Sequence, residues 1–159
     1  MNSNFSIAIL FGGVSSEREV SVNSALEIYN ALPDFLNVDL IELNHSNFSS
    51  FVNELDKDTL VFNALHGQIG EDGNIQGLLN IMDIPYTHSG VTASAIAMDK
   101  ILAKTLLATA GILVPPTLPL VEDTHVYPED STDACVIKPR NDGSSFGVVI
   151  VKDPSTAPP

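Results

Sequence analysis

The sequence predicts an α/β fold: a doubly wound, mostly parallel sheet from the start of the chain to about Thr87. Three observations predict it. The apolar run Ser6-Ile7-Ala8-Ile9-Leu10-Phe11 reads as a strand buried on both faces, and Val38 to Leu43 and Thr59 to Phe62 read as a second and a third strand. Segments with helical periodicity separate or follow them, and strands alternating with helices imply parallel pairing through right-handed crossovers. Glycine-rich breaks, Gly12-Gly13 and the loop in "LHGQIGEDGNIQGLL", follow the first and third runs.

After the first run, Val22, Ala25, Leu26, Tyr29 and Leu32 recur at helical spacing, and Pro33 stops the pattern. Ser16 followed by Glu19 is a capping-box signature for the start of that helix. Asn44 to Leu55 reads as a short helix. Ile75, Leu78, Leu79 and Met82 predict a helix after the glycine loop, capped by Asp72 or Asn74. Ile84 to Thr87 reads as a brief strand, and Val91 to Ala110 as one helix closed by Gly111. Pro115, Pro116 and Pro119 mark a linker. Cys135 to Lys138 and Val148 to Val151 read as two further strands around the loop Pro139 to Gly147.

A chain of 159 residues favours one domain, or one domain plus a piece of another. Hydrophobic residues make up 44% and charged ones 17%, enough for a packed core. The net charge of −13, with only seven Lys and Arg, argues against nucleic acid or an anionic membrane as partner. The single cysteine, Cys135, lies in an apolar run and reads as a buried, inert thiol. The first residues carry no basic cluster, and no apolar stretch reaches the length of a membrane span. The expectation is a cytoplasmic protein.

In doubly wound sheets ligands bind beyond the carboxyl ends of the strands. Gly12-Gly13 and the His66 to Gly73 loop should therefore meet at one edge, with Glu17 and His66 on the same side. The G-x-G-x-x-G fingerprint is absent. Glu17 and Glu19 either serve the helix start electrostatically, or Glu17 faces the cleft and holds a cationic group such as an ammonium. His66 is either a structural hydrogen-bonder or a participant in chemistry. "KPRNDGSSFG", from Lys138 to Gly147, is either a plain hairpin or a phosphate cradle, with backbone N–H groups and a nearby Lys. Lys100 and Lys104 form either a solvated helix face or further phosphate contacts. No Cys/His spacing suggests zinc.

Four stretches together, "ILFGGVSSEREVS", "ALHGQIGEDGNIQGLL", "IPYTHSGVTASAIAMDKILAK" and "VIKPRNDGSSFG", resemble the D-alanine–D-alanine ligase family of ATP-grasp enzymes in content, order and spacing. The resemblance runs from Ile7 to Val151. It implies a Rossmann-like pre-ATP-grasp domain over residues 1–98, followed by a linker helix and the beginning of the ATP-grasp domain over 99–159. The glycine loop would line the D-alanine subsites.

The same resemblance implies roles. Glu17 would anchor the ammonium of the first D-alanine, and Ser144 would hydrogen-bond with Glu17 and fix the loop over the substrates. His66 would orient or polarise beside the first D-alanine and the acyl phosphate. Lys100 and Lys138 would contact ATP phosphates. Ser145, with the backbone of Phe146 and Gly147, would close over the γ-phosphate. The reaction implied is phosphorylation of one D-alanine carboxylate by ATP, then attack by the amine of the second, serving peptidoglycan precursor synthesis in a homodimeric enzyme. Two departures accompany this. The segment between Lys100 and Lys138 is shorter than is usual, and "KDPSTAPP" falls about halfway through the family pattern. The family's Mg²⁺ (or Mn²⁺) ligands, adenine pocket and transition-state Arg come later, so no metal ligand is expected in this chain and the 159 residues alone are expected to be inactive. The other readings are a D-alanine–D-lactate ligase, a non-catalytic α/β binding or assembly module, and, weakened by the missing fingerprint, a nicotinamide-dependent oxidoreductase.

Overall fold

A computed structural model describes residues 5–117 and 134–152. The expectations placed on Pro119, on the shortened stretch 122–133 and on the tail 153–159 lie outside these residues. Three parallel strands form the sheet: β1 (Ser6–Gly12), β2 (Val38–Leu43) and β3 (Thr59–Asn63), in the order β2-β1-β3. Ile7 pairs with Val38 on one side of β1 and with Leu60 on the other. The brief strand read at Ile84 to Thr87 is a single parallel bridge, Tyr86 to Val61, held by Val61 N–H to Pro85 O (2.8 Å) and Thr87 N–H to Val61 O (3.1 Å).

The continuous apolar run of β1 is explained by two cores. Ile7 and Ile9 face α1 (Arg18–Ala31), packing with Ala25 and Ala64. Ala8 and Leu10 face the opposite layer, where Phe51 and Leu55, from a one-turn 3-10 helix (Phe51–Glu54) and its end, meet Ile75 and Leu79 of α2 (Asn74–Ile81). Successive residues of a strand point to opposite faces, so a strand covered on both must be apolar throughout. The segment expected as a short helix within Asn44 to Leu55 is thus reduced to that one 3-10 turn.

The helices depart from expectation in two places. The buried stripe of α1 is Ser21, Ala25, Ile28 and Leu32, while Leu26 and Tyr29 are exposed. The stripe is rotated because the Ser21 hydroxyl has a task in the interior, described below. The helix read from Val91 to Ala110 is two helices, α3 (Val91–Met98) and α4 (Lys100–Thr109), broken at Asp99. Asp99 is extended (φ −83°, ψ 103°), and its carboxylate accepts from Ile101 N–H (3.0 Å) and Leu102 N–H (3.1 Å). A side chain that caps a new helix competes with continuation of the old one. Gly111 (φ 79°) ends α4 as expected: its N–H reaches Ala108 O and Ile112 N–H reaches Leu107 O, both at 3.0 Å.

Beyond the linker, β4 (Cys135–Ile137) and β5 (Val149–Val151) form an antiparallel hairpin. Cys135 is half-buried rather than buried, since so short a hairpin covers little of its own surface. A two-stranded ribbon gains little stability by itself. Amides of Ser144 to Gly147 are therefore expected to exchange with solvent well before those of Ile7 to Leu10; equal protection in a hydrogen-exchange experiment would contradict this.

Candidate functional site

The carboxyl ends of β1 and β3 are stitched together by two serines. Gly12 N–H donates to Ser21 Oγ (2.8 Å), and that hydroxyl donates to Ala64 O (2.7 Å). One buried side chain thus links the end of β1 to the segment after β3. Ser15 Oγ donates to His66 O (2.8 Å) and accepts from Glu17 N–H (3.2 Å). The two glycine loops consequently share one edge of the sheet.

Glu17 sits between them and is 1% exposed. The capping readings fail here. Glu17 occupies the N-cap position of α1 but makes no side-chain cap, and Ser16 and Glu19 are exposed. The carboxylate turns inward instead, because two glycines leave room for it. Gly67 (φ 70°) lies against Oε2 and Ser15 so closely that a side chain there would collide with both. A Cβ on Gly143 would stand 3.0 and 3.1 Å from the two carboxylate oxygens. Oε2 has no hydrogen-bond partner among the described residues. A buried charge without a partner is strongly unfavourable, so the surroundings of this carboxylate are electrostatically suited to a small cation.

His66 is half-exposed, with Nε2 3.1 Å from Ser24 Oγ. Its glycine loop is folded by its own acids. Glu71 Oε2 accepts from Gly67 N–H (2.6 Å), Asp72 Oδ2 from Ile69 N–H (2.9 Å), and Asp72 Oδ1 from Asn74 N–H (3.1 Å). Asp72 therefore supports the start of α2 from one position earlier, while Gly73 (φ 94°) occupies the N-cap. Ile69 takes φ 76°, a conformation a β-branched residue rarely adopts, held by Asp72 and by contact with the core. Burial pushes the His88 imidazole below its ordinary pKa; the Glu71 carboxylate opposes this and His66 adds to it.

Three residues that organise this loop escaped the sequence reading. Asn63 Nδ2 and Gln76 Nε2 both donate to Gly70 O at 2.8 Å, and Ser21 is described above. Their only signal is a polar residue in an otherwise apolar stripe.

The β4–β5 hairpin closes the other side. Lys100 N–H donates to Arg140 O (3.1 Å), and Lys100 Nζ donates to Asp142 O. Arg140 Nε (2.8 Å) and Nη2 (2.6 Å) both reach Asp99 Oδ2. Among the described residues no hydrogen bond joins Ser144 to Glu17. Ser144 (φ 43°) and Ser145 (φ 62°) lie in a left-handed turn, and Gly143, having no side chain, makes the close approach to the carboxylate. Phe146 and Gly147 are exposed on that turn, and Lys138 is exposed just past the end of β4. Lys104 belongs elsewhere: its Nζ donates to Thr117 Oγ1 (2.7 Å) in the linker. A cavity of about 540 Å³ lies between these parts, lined by Ser15, Ser16, Asp72, Asp99, Asn141 and Asp142 among others. Among the described residues no group of three or more His, Cys, Asp and Glu could hold a metal ion.

The Arg140 guanidinium beside Asp99 holds its carboxyl at about 2, below the ordinary 3.8. A lowered folded-state pKa contributes stability above pH 3.8 and loses it as pH falls through 2. The Arg140 Nε–H signal is expected to stay at its bonded position down to pH 4 and to move between 4 and 2; a signal that moves with the other carboxylates above pH 4 would refute the pairing.

The family profile described as D-ala D-ala ligase N-terminus matches residues 42–89. A D-alanine–D-alanine ligase of Sinorhizobium medicae is 45% identical over 154 residues, covering 96% of this chain and 49% of the relative. D-alanine–D-alanine ligase B of Brucella suis is 46% identical, again over 96% and 49%. Among solved structures, the D-alanine–D-alanine ligase from Bacillus anthracis complexed with ATP superposes with a TM-score of 0.76 at 32% identity, over 94% of this chain and 50% of that one. The chain is thus similar to about half of these D-alanine–D-alanine ligases, and the matching profile is that of their N-terminus. D-alanyl-alanine synthetase A from Vibrio cholerae agrees, with a TM-score of 0.79 at 27% identity over 98% and 54%. The chain spans about half the length of the curated relatives it matches. No helix among the described residues is long and apolar enough to cross a membrane.

Proposed function

We propose that this chain supplies the first D-alanine subsite, and part of the phosphate site, of an ATP-dependent ligase that joins two D-alanine molecules. The observation that carries the reading is the buried Glu17 carboxylate, unpartnered at Oε2 and walled by Gly67 and Gly143. An α-ammonium is a small cation whose N–H groups and charge would answer the unpartnered oxygen. In the proposed reaction the carboxylate of one D-alanine attacks the γ-phosphorus of ATP and ADP leaves. The amine of the second D-alanine then attacks the acyl carbon and inorganic phosphate leaves. Such steps are accelerated mainly by positioning and charge neutralisation.

Within this reading Glu17 holds the ammonium, and His66, fixed by Ser24 and Ser15, orients the substrate carboxylate. Lys100 and Lys138 take phosphate oxygens, Lys100 exchanging its bond to the Asp142 carbonyl for them. Ser144, Ser145, Phe146 and Gly147 present the turn that closes over the phosphate; consecutive left-handed residues form an N–H concavity suited to anions. The described residues offer no group of three or more His, Cys, Asp and Glu that would hold Mg²⁺. We place the domain boundary at Met98–Asp99, where the helix breaks, and include in the proposal a cytoplasmic homodimer serving peptidoglycan precursor synthesis.

The test is a titration of the chain with D-alanine and with N-acetyl-D-alanine, followed by the shifts of the Gly67 and Gly143 amides. D-alanine alone is expected to move them, since acetylation removes the ammonium. Joined to the second half of the Sinorhizobium medicae relative, the chain is expected to release phosphate from ATP only when D-alanine is present. Equal binding of both ligands, or D-alanine-independent release, would overturn the reading.

A further inference from the structure

The ammonium subsite has two walls of different origin. Gly67 and Ser15 come from the parallel-sheet domain, whereas Gly143 comes from the β4–β5 hairpin, whose strands pair with each other and not with the sheet. The subsite is therefore complete only while the hairpin is held in place. We propose that Asp99 and Arg140 are positioning residues that hold it there: their ion pair sets the Gly143 turn against the Glu17 carboxylate. The inference rests on the reading of Glu17 as the ammonium anchor.

The geometry favours this over an incidental surface pair. Arg140 lies three residues before Gly143, so fixing its guanidinium fixes the turn within a short reach. Two of its nitrogens converge on one oxygen, Asp99 Oδ2, at 2.8 and 2.6 Å. The other oxygen, Oδ1, accepts the N–H groups of Ile101 and Leu102 in the first turn of α4. Asp99 is thus already immobilised by its capping role, and little side-chain freedom remains to be lost when Arg140 binds. The neighbouring backbone bond from Lys100 N–H to Arg140 O adds a second tether at the same point. One carboxylate therefore couples the helix break to the wall of the subsite. Exposed ion pairs are individually modest, so the expected effect is on the placement of the turn, not on the fold.

Asn caps helices about as well as Asp, so Asp99→Asn removes the charge and keeps α4. In the 159-residue chain, Asp99→Asn and Arg140→Gln are each expected to quicken amide exchange at Gly143 to Gly147 and to weaken D-alanine binding, by roughly two- to fivefold. Exchange in α4 of Asp99→Asn should stay unchanged, and Arg140→Lys should restore part of both losses. Unchanged hairpin exchange in both variants overturns the proposal. So does faster exchange with unchanged D-alanine affinity, because the turn then wanders without consequence for the subsite. If the wild-type chain shows no D-alanine affinity, the anchor reading of Glu17 falls and the proposal falls with it, whatever the hairpin does.

Discussion

Replacing Glu17 by Gln is expected to weaken D-alanine binding by roughly ten- to a hundredfold, leaving nucleotide affinity unchanged, since hydrogen bonds to charged groups contribute about 1.5–3 kcal/mol. Gln has nearly the same shape, so Gly67 and Gly143 keep their contacts and only the charge is lost. The same substitution should not destabilise the free chain. It removes a carboxylate with an unpartnered oxygen from a site 1% exposed, and a neutral amide is cheaper to bury than an uncompensated charge. Binding and melting temperature should thus move independently: affinity falls while the melting point holds or rises. An acid that merely served the start of α1 would lose stability instead, and D-alanine affinity would stay where it was. Measuring the two affinities and the melting temperature on one preparation separates these cases, and unchanged D-alanine affinity would remove the cleft assignment altogether.

Gly12→Ala is expected to be the more damaging change to the fold. Gly12 ends β1 with φ 86°, and a Cβ there would stand 2.8 Å from the Leu43 carbonyl oxygen and 2.9 Å from Glu42 Cγ. The side chain of Glu42 can move aside, but the carbonyl cannot. It accepts from Gly13 N–H (2.8 Å) and belongs to β2, paired with β1 from Ile7 to Gly12. The left-handed backbone costs a side chain about 1–2 kcal/mol, and forcing an atom into a packed position about 1–3 more. A total of about 2–5 kcal/mol corresponds to a fall in melting temperature of roughly 5–20 °C for a chain of this size. The strain falls at the point where Gly12 N–H meets Ser21, so the link from β1 to Ala64 loosens too. Calorimetry reads the effect directly. A melting point within a degree or two of the wild type would show that the end of β1 yields easily, and the rigid placement of Glu17 would lose its support.

Most of the sheet is legible in the amino-acid sequence. Ile7 to Phe11 is a strand because an apolar run of that length can be buried on both faces only in a covered sheet, and Val38 to Leu43 and Thr59 to Phe62 are shorter apolar-rich segments that alternate with helices. The helix after the glycine loop was legible for a related reason, the recurrence of Ile75, Leu78 and Leu79 on one face. The placement of Glu17 and His66 at one edge followed from the topology of such sheets. Other expectations differ from the structure for one reason: the capping box at Ser16 and Glu19, the single helix across Asp99 and the apolar stripe through Leu26 and Tyr29 each let a local pattern decide a contact between distant segments.

Ser21 illustrates the reason. Its neighbours at helical spacing offer larger apolar side chains for the interior, yet the helix rotates to bury a hydroxyl, because Gly12 N–H and Ala64 O need a partner that only residue 21 can reach. Asp99 has helix-forming residues on both sides, but Arg140, 41 positions away, engages the carboxylate whose other oxygen begins α4. Periodicity and composition, acting through burial, determined which segments are strands and helices and which edge carries the site. The tertiary structure decided which polar side chains satisfy which buried groups, because an unsatisfied buried donor or acceptor is costly enough to override local preference and its partner is set by the fold as a whole.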